Sequence, residues 1–167
     1  MTSIRLVPFT ATHKAAFAET ILDPDVLRFT GTPDPTPEGW ADAWMRRYRD
    51  EQDRYNFAII DADETFSGYA VAFSVDREDL DAELGYAVSP WARGRGVATD
   101  ALDALTTWAF GEGLYRVSLL IAVSNTASSR VAEKAGYTLE GVLRSMHQKN
   151  GRREDMQSWS KLATDGG

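Results

Sequence analysis

The chain contains no cysteine and only two histidines, His13 and His147, among its 167 residues. The absence of cysteine excludes disulfide bonds, thiolate nucleophiles and cysteine-ligated metal sites, and it is typical of a cytoplasmic protein. Two histidines far apart in the sequence are a poor basis for a zinc site or a catalytic triad, so we expect no metal. A Walker phosphate loop is also excluded, because no Gly-Lys-Ser or Gly-Lys-Thr occurs.

Long apolar runs and an excess of basic residues are missing as well. No run approaches the length of a membrane span and residues 1–5 do not begin a signal peptide, so we expect a cytoplasmic protein without membrane attachment. The 25 acidic and 18 basic side chains argue against nucleic-acid binding, which depends on phosphate neutralisation. Length and a hydrophobic content of 43% predict one globular domain over 1–167, with 163–167 as a disordered tail.

Hydrophobic periodicity predicts seven strands in the order strand, two helices, three strands, helix, strand, helix and two strands. An Asn150-Gly151 hairpin turn is expected between the last two strands, and Gly68 predicts a bulge or a close backbone approach. The apolar run 117–123 predicts a strand that is buried on both faces. Strands are predicted over 4–8, 56–61, 65–75, 82–88, 117–123, 137–143 and 155–162, and helices over 13–21, 37–53, 96–111 and 125–135, with a restart at 23–25.

The segment 82–102 is the most informative part of the sequence. It reads as a strand, a glycine turn at Gly94 and Gly96, and a helix. The first N–H groups of a helix lack partners and carry the positive end of its dipole, so they attract an anion. Arg93 and Arg95 add positive charge, and no acidic residue lies between Glu83 and Asp100. The sequence therefore predicts a phosphate cradle.

The cradle follows the pattern Arg93-x-x-Gly96-x-Ala98 and lacks the third glycine of a dinucleotide fingerprint, since residue 99 is threonine. It resembles the acyl-coenzyme-A motif of the GNAT N-acetyltransferase superfamily, and most closely the branch of ribosomal-protein N-terminal (alanine) acetyltransferases. The resemblance extends over nearly the whole chain through the order of elements. It includes Asn125-x-x-Ser128 and the hairpin 150–155.

This resemblance implies an α/β (α+β) fold with a mixed, largely antiparallel sheet of about seven strands and about four helices. It implies direct transfer of an acetyl group from acetyl-CoA to a primary amine, either a protein N-terminus or a small amine, and it leaves room for a homodimer. Two alternatives stay open: a non-catalytic acyl-CoA-binding sensor or scaffold, and, less favoured, a nucleotide-binding protein.

The resemblance also implies positions for the cofactor. The pantetheine arm is expected along the strand end Tyr86, Ala87 and Val88, where the N–H groups near Ala87 and Val88 would meet the thioester carbonyl as an oxyanion site. The pyrophosphate is expected on backbone N–H groups of Arg93, Gly94, Arg95, Gly96, Val97, Ala98 and Thr99.

Glu83 is the best candidate for a base that accepts the amine proton, directly or through water, because its strand neighbours on the same side, Gly85 and Ala87, are small. Ser128 is the family-type candidate to protonate the leaving thiolate, with Asn125 contacting the cofactor. The structural alternatives are that Glu83 is a solvated or salt-bridged carboxylate and that Asn125 only caps the helix.

The acceptor amine is expected to enter between segments 29–44 and 144–155. These segments suit a partly aromatic, partly acidic amine pocket. Trp40 and Trp44 also recur with Tyr48 at helical spacing, which is more often a core stripe than a ligand contact. The side chains proposed for the pocket are Phe29, Trp40, Trp44, Glu154 and Asp155.

Overall fold

The structure, a computed structural model, describes residues 3–166. Seven strands are formed: β1 (Ile4–Pro8), β2 (Tyr55–Asp61), β3 (Phe66–Asp76), β4 (Asp81–Val88), β5 (Arg116–Ala122), β6 (Thr138–Lys149) and β7 (Arg152–Leu162). Five α-helices accompany them: α1 (Lys14–Ile21), α2 (Pro24–Phe29), α3 (Trp40–Asp50), α4 (Val97–Gly111) and α5 (Thr126–Lys134).

All seven strands join one sheet in the order β1-β2-β3-β4-β5-β7-β6. Neighbours are antiparallel except β4 and β5, which run parallel. The expected α/β class with a largely antiparallel sheet is confirmed, with five helices where about four were expected. The additional helix is α2, because the Asp23 carboxylate caps its N-terminus and Pro24 fits the first helical position.

The two faces of the sheet carry separate hydrophobic cores. On one face α4 and α5 pack against β4 and β5, with Leu84 and Leu105 fully enclosed. On the other face α1 and α3 cover β2 and β3. Here Trp44 stacks on Phe17 with ring centroids 4.3 Å apart, and Trp40 stacks on the same ring at 6.3 Å. The helical aromatic stripe therefore belongs to this core.

Gly68 lies where β3 meets both of its neighbours, and the expected bulge and close approach are both found. The register of β2 against β3 shifts between Ile59 and Ile60. Gly68 has a φ of +145°, and a Cβ built on it would lie 2.2 Å from the carbonyl oxygen of Ala87. Only glycine permits this conformation and this contact.

Several expected helix and strand boundaries were wrong, and so was the expected burial of β5. Helix α3 begins at Trp40, because Gly39 has a left-handed φ of +74°, and it ends at Asp50. Strand β5 alternates between buried and half-buried residues, so it is not buried on both faces. The hairpin strands β6 and β7 are longer than predicted, and their turn has positive φ at both Asn150 and Gly151, as expected for this pair.

The C-terminal tail, expected to be disordered, forms turns over residues 163–166. The Ala163 N–H donates to the Tyr115 carbonyl oxygen at 2.8 Å, and the Asp165 side chain accepts from the Leu162 N–H at 2.9 Å. Gly167 lies outside the described residues. Within residues 3–166, no helix combines the length and the hydropathy that crossing a membrane requires.

Candidate active site

The two parallel strands separate partway along their length and form a fork. Strands β4 and β5 pair only from Asp81–Arg116 to Glu83–Ser118. Beyond this point β4 stays paired with β3 as far as Val88, while β5 stays paired with β7 as far as Ala122. The edge of β4 after Glu83 therefore faces a gap within the sheet.

The main chain of β4 offers hydrogen-bonding groups to this gap. The Ser89 N–H donates to the Ser67 carbonyl at 2.9 Å, and the Ala87 carbonyl points at Gly68, so both residues turn their main chain toward β3. By strand alternation, the main-chain groups of Tyr86 and Val88 face the fork. Of the two expected oxyanion donors, Val88 is on the open edge, whereas Ala87 faces β3.

The glycine loop lies at the end of β4, as predicted. Gly94 and Gly96 have left-handed φ values of +75° and +80°, and no heavy atom lies within 4 Å of a Cβ built at either position. Helix α4 begins at Val97, with Gly96 as its N-cap. The N–H groups of its first turn, including Ala98 and Thr99, have no partner within the helix. This cradle has the open space and the donors that a diphosphate requires.

Both arginines of the loop are paired with carboxylates. Arg93 donates two hydrogen bonds to Asp23, which in turn caps α2 by accepting from the Asp25 and Val26 N–H groups. These contacts, with the Arg93 bond as the largest cause, hold the pKa of Asp23 below its usual value. Arg95 lies 3.6 Å from the buried Asp61 carboxylate. The sequence identified the arginines but not these partners.

Glu83 stands at the apex of the fork, in the last pair between β4 and β5. Its side chain is half-buried, and burial raises the pKa of its carboxyl. Among residues 3–166 no hydrogen bond or ion pair reaches this carboxylate, so the expected alternative of a salt-bridged carboxylate is not found. A half-buried carboxylate without a partner is able to accept a proton.

Helix α5, which follows β5, places Ser128 near the fork. Asn125 caps the helix, and its side chain accepts the Ser128 N–H at 3.2 Å. The Tyr86 phenol donates a hydrogen bond to the Ser128 Oγ at 3.3 Å. The expected cap is confirmed, and the contact between Tyr86 and Ser128 is an addition that no local pattern indicated.

The two candidate catalytic side chains approach the fork from opposite faces of the sheet. Alternation along β4 puts Glu83 on the side of Ala87, which belongs to the core beneath α1 and α3. Tyr86 and its partner Ser128 lie on the side of α4 and α5. Only the gap between the strands connects the two sides.

The two segments expected to form the acceptor mouth do meet. Lys149 at the end of β6 donates to the carbonyl oxygens of Thr30 at 3.0 Å and Thr32 at 2.7 Å. Burial lowers the pKa of Lys149, and the Asp34 carboxylate partly offsets this effect. A groove of about 430 Å³ lies between the segments, lined by residues 30–34 and 147–150.

All five side chains proposed for the acceptor pocket also contact other parts of the protein. Asp155 accepts the Ser145 N–H at 2.8 Å, and Glu154 binds the Ser124 hydroxyl and lies 3.8 Å from Arg28. The Arg28 guanidinium covers the Phe29 ring at 4.7 Å, while Trp40 and Trp44 pack in the core described above. Within residues 3–166 no cluster of side chains could hold a metal ion.

A forked parallel strand pair beside a glycine loop at a helix N-terminus combines an open strand edge with backbone N–H donors for an anionic ligand. Residues 3–138 match the family model described as the acetyltransferase (GNAT) domain. The chain is 31% identical over 147 residues to the protein named "Putative ribosomal N-acetyltransferase YdaF" of Bacillus subtilis (strain 168), covering 87% of this chain and 74% of that protein.

Solved structures agree on the fold. A spermidine N-acetyltransferase from Vibrio cholerae, in complex with CoA and spermine, superimposes with a TM-score of 0.88 at 17% identity, covering 97% of this chain and 96% of that one. A GNAT-family acetyltransferase from Bacillus anthracis superimposes with a TM-score of 0.83 at 22% identity, covering 97% of this chain and 98% of that one. The chain belongs to the GNAT family, and it is an N-acetyltransferase that transfers an acetyl group to an amine.

Proposed function

We propose that the enzyme uses acetyl-CoA and transfers its acetyl group directly to a primary amine, with Glu83 as the base. The observation that carries this proposal is the position of Glu83, half-buried and without a partner at the apex of the fork. The absence of cysteine and of a serine–histidine–acid arrangement supports direct transfer over a covalent enzyme intermediate.

Each step of the reaction has a candidate group. Acetyl-CoA supplies the acetyl group as an activated thioester. Residues 93–99 and the open edge of β4 would hold it, through loop N–H groups and main-chain pairing. Glu83 accepts the amine proton, directly or through one water, and the Val88 N–H donates to the developing oxyanion. The Ser128 hydroxyl donates to the departing sulfur.

Glu83→Gln tests the base, because it keeps the size of the side chain and removes its basicity. We expect turnover at neutral pH to fall by about 10²–10⁴-fold, and the loss to shrink as pH rises because more of the acceptor amine is already neutral. In the wild type, activity should fall with acid at a pH above the ordinary glutamate range, since burial raises the pKa of Glu83. Glu78→Gln, in the exposed turn before β4, is the control. Full activity of Glu83→Gln at neutral pH would contradict the assignment.

The acceptor is a protein N-terminus or a small amine such as a polyamine. Support for the first comes from the relative described as ribosomal, and for the second from the fold neighbour that acts on spermidine. Thiol release measured with free-N-terminus peptides and with spermidine discriminates the two. Turnover with neither class would refute both assignments.

We also propose that the enzyme pairs with a second copy of itself through β6. This strand lies at the edge of the sheet, and exposed edges with apolar side chains pair readily with another strand. Light scattering tests the dimer, and a monomer at micromolar concentration would refute it. The exposed apolar side chains are Leu139, Val142, Leu143 and Met146.

A further inference from the structure

The phenol of Tyr86 reaches across the fork. Tyr86 lies on β4, whereas Ser128 lies on the helix that follows β5, so their hydrogen bond joins the two strands where these have separated. The Tyr86 ring packs against the larger core, which fixes its position. The contact therefore connects the proposed cofactor edge with the proposed leaving-group residue.

The direction of this hydrogen bond determines where the Ser128 hydrogen can point. The Tyr86 O–H is the donor and the Ser128 Oγ is the acceptor. A serine hydroxyl has one hydrogen and two acceptor positions, so accepting from Tyr86 leaves its own hydrogen available. Among residues 3–166 no acceptor takes the Ser128 hydroxyl hydrogen. The hydroxyl can thus donate into the fork.

One further contact and the burial of Tyr86 keep the pair in this arrangement. The Ser128 N–H is held by Asn125 at 3.2 Å, which fixes the backbone from which the hydroxyl projects. Burial raises the pKa of Tyr86, so the phenol keeps its proton over the physiological range and remains a donor. A donor that is itself hydrogen-bonded in a low-dielectric site is polarised and binds an anion more strongly.

We propose that Tyr86 is a positioning residue that acts through Ser128, by orienting and polarising the serine hydroxyl toward the departing sulfur. This inference rests on the proposed role of Ser128. In the step concerned, the N–C bond forms and the C–S bond breaks with its electron pair on sulfur. The amine proton goes to Glu83. The thiolate leaves hydrogen-bonded to Ser128 and takes its proton from solvent, so neither hydroxyl loses a proton.

A double-mutant cycle on kcat tests the proposal. Tyr86→Phe removes only the phenol oxygen, and we expect a three- to tenfold loss of kcat, about the value of one hydrogen bond, with KM for acetyl-CoA unchanged. Ser128→Ala should cost about tenfold. Because Tyr86 acts through Ser128, the double variant should be no slower than Ser128→Ala alone.

Tyr137→Phe is the matched control. Its phenol is paired with the Thr106 hydroxyl at 2.6 Å in the same core, and within residues 3–166 no hydrogen bond joins it to Glu83 or Ser128. It should lower the melting temperature by about as much as Tyr86→Phe while leaving kcat at the wild-type value. An equal loss of kcat in both variants would make the effect of Tyr86 structural.

The remaining outcomes separate the inference from the function on which it rests. The inference would be overturned, with Ser128 kept in its role, if the two losses of kcat multiply in the double variant. The same conclusion would follow if Tyr86→Phe has a normal kcat while Ser128→Ala is impaired. A normal kcat for Ser128→Ala would overturn the role of Ser128 and the inference together. An impaired Tyr86→Phe with a normal Ser128→Ala would show that the phenol acts without the serine.

Discussion

Replacing Gly68 with alanine should damage both the stability of the protein and its chemistry, because this glycine determines how closely β3 approaches the end of β4. The new methyl group would lie 2.2 Å from the Ala87 carbonyl oxygen, and real contacts of this kind stay above 3.0 Å. The backbone must therefore shift by at least 0.8 Å, the difference of these two distances. The φ of +145° adds strain that an L side chain does not tolerate.

We expect Gly68→Ala to cost roughly 2–6 kcal/mol, from about 1–3 kcal/mol each for backbone strain and overpacking. For a domain of this size the melting temperature should fall by about 5–15 °C. The shift also moves the Val88 N–H, so kcat of the folded variant should fall by about 100-fold. Calorimetry and initial rates measured at low temperature give both quantities.

Gly111→Ala, at the end of α4, is the control, because no heavy atom lies within 4 Å of a Cβ built there and its φ is ordinary. It should change the melting temperature by no more than a few degrees and leave kcat unaffected. A Gly68→Ala protein with wild-type melting temperature and kcat would refute the argument from the close approach to Ala87.

Two further predictions concern the cofactor loop. Gly96→Glu should weaken CoA binding at least 100-fold in titration calorimetry, because its carboxylate would lie beside the phosphate cradle. Gly96→Ala places a side chain at the same left-handed φ and so controls for backbone strain. Equal CoA binding by the two variants would contradict the placement of the cradle. Asp23→Asn keeps the helix cap and removes the ion pair with Arg93, so it should cost about 1 kcal/mol at pH 7 in urea unfolding. Since Arg93 lowers the pKa of Asp23, the stability difference between wild type and variant should persist at pH values above the unfolded-state pKa of about 3.9. It should vanish as pH falls through the lower pKa of the folded state, and a stability difference independent of pH would argue against the ion pair as its cause.

The conformation of the glycine loop that we propose for the cofactor could be predicted from sequence because its signals are local. The pattern of strand, Gly94, Gly96 and helix is written in consecutive residues, and so are the Asn125 cap and the Asn150-Gly151 turn. Such features depend on backbone conformations that a few neighbouring residues impose. Glu83 was also proposed as the base from local sequence, because its neighbours on the same side of one strand are small.

The sequence did not predict which partner a side chain meets across the fold. The aromatic stripe of Trp40 and Trp44 has the same helical spacing whether it contacts a ligand or, as found, stacks on Phe17. An acidic residue such as Asp155 looks the same in sequence whether it binds an amine or, as found, holds the Ser145 N–H. Spacing identifies the face of an element but not the partner opposite that face.

The order of residues was therefore sufficient to identify the family, to place the glycine loop at a helix N-terminus and to propose Glu83 as the base. The fork between β4 and β5, the tie from Arg93 to Asp23 and the bond from Tyr86 to Ser128 required the folded chain. These last two pairs are separated by 70 and 42 residues. They meet because the fold brings the start of α2 beside the glycine loop and brings α5 beside the end of β4, and no local propensity encodes either contact.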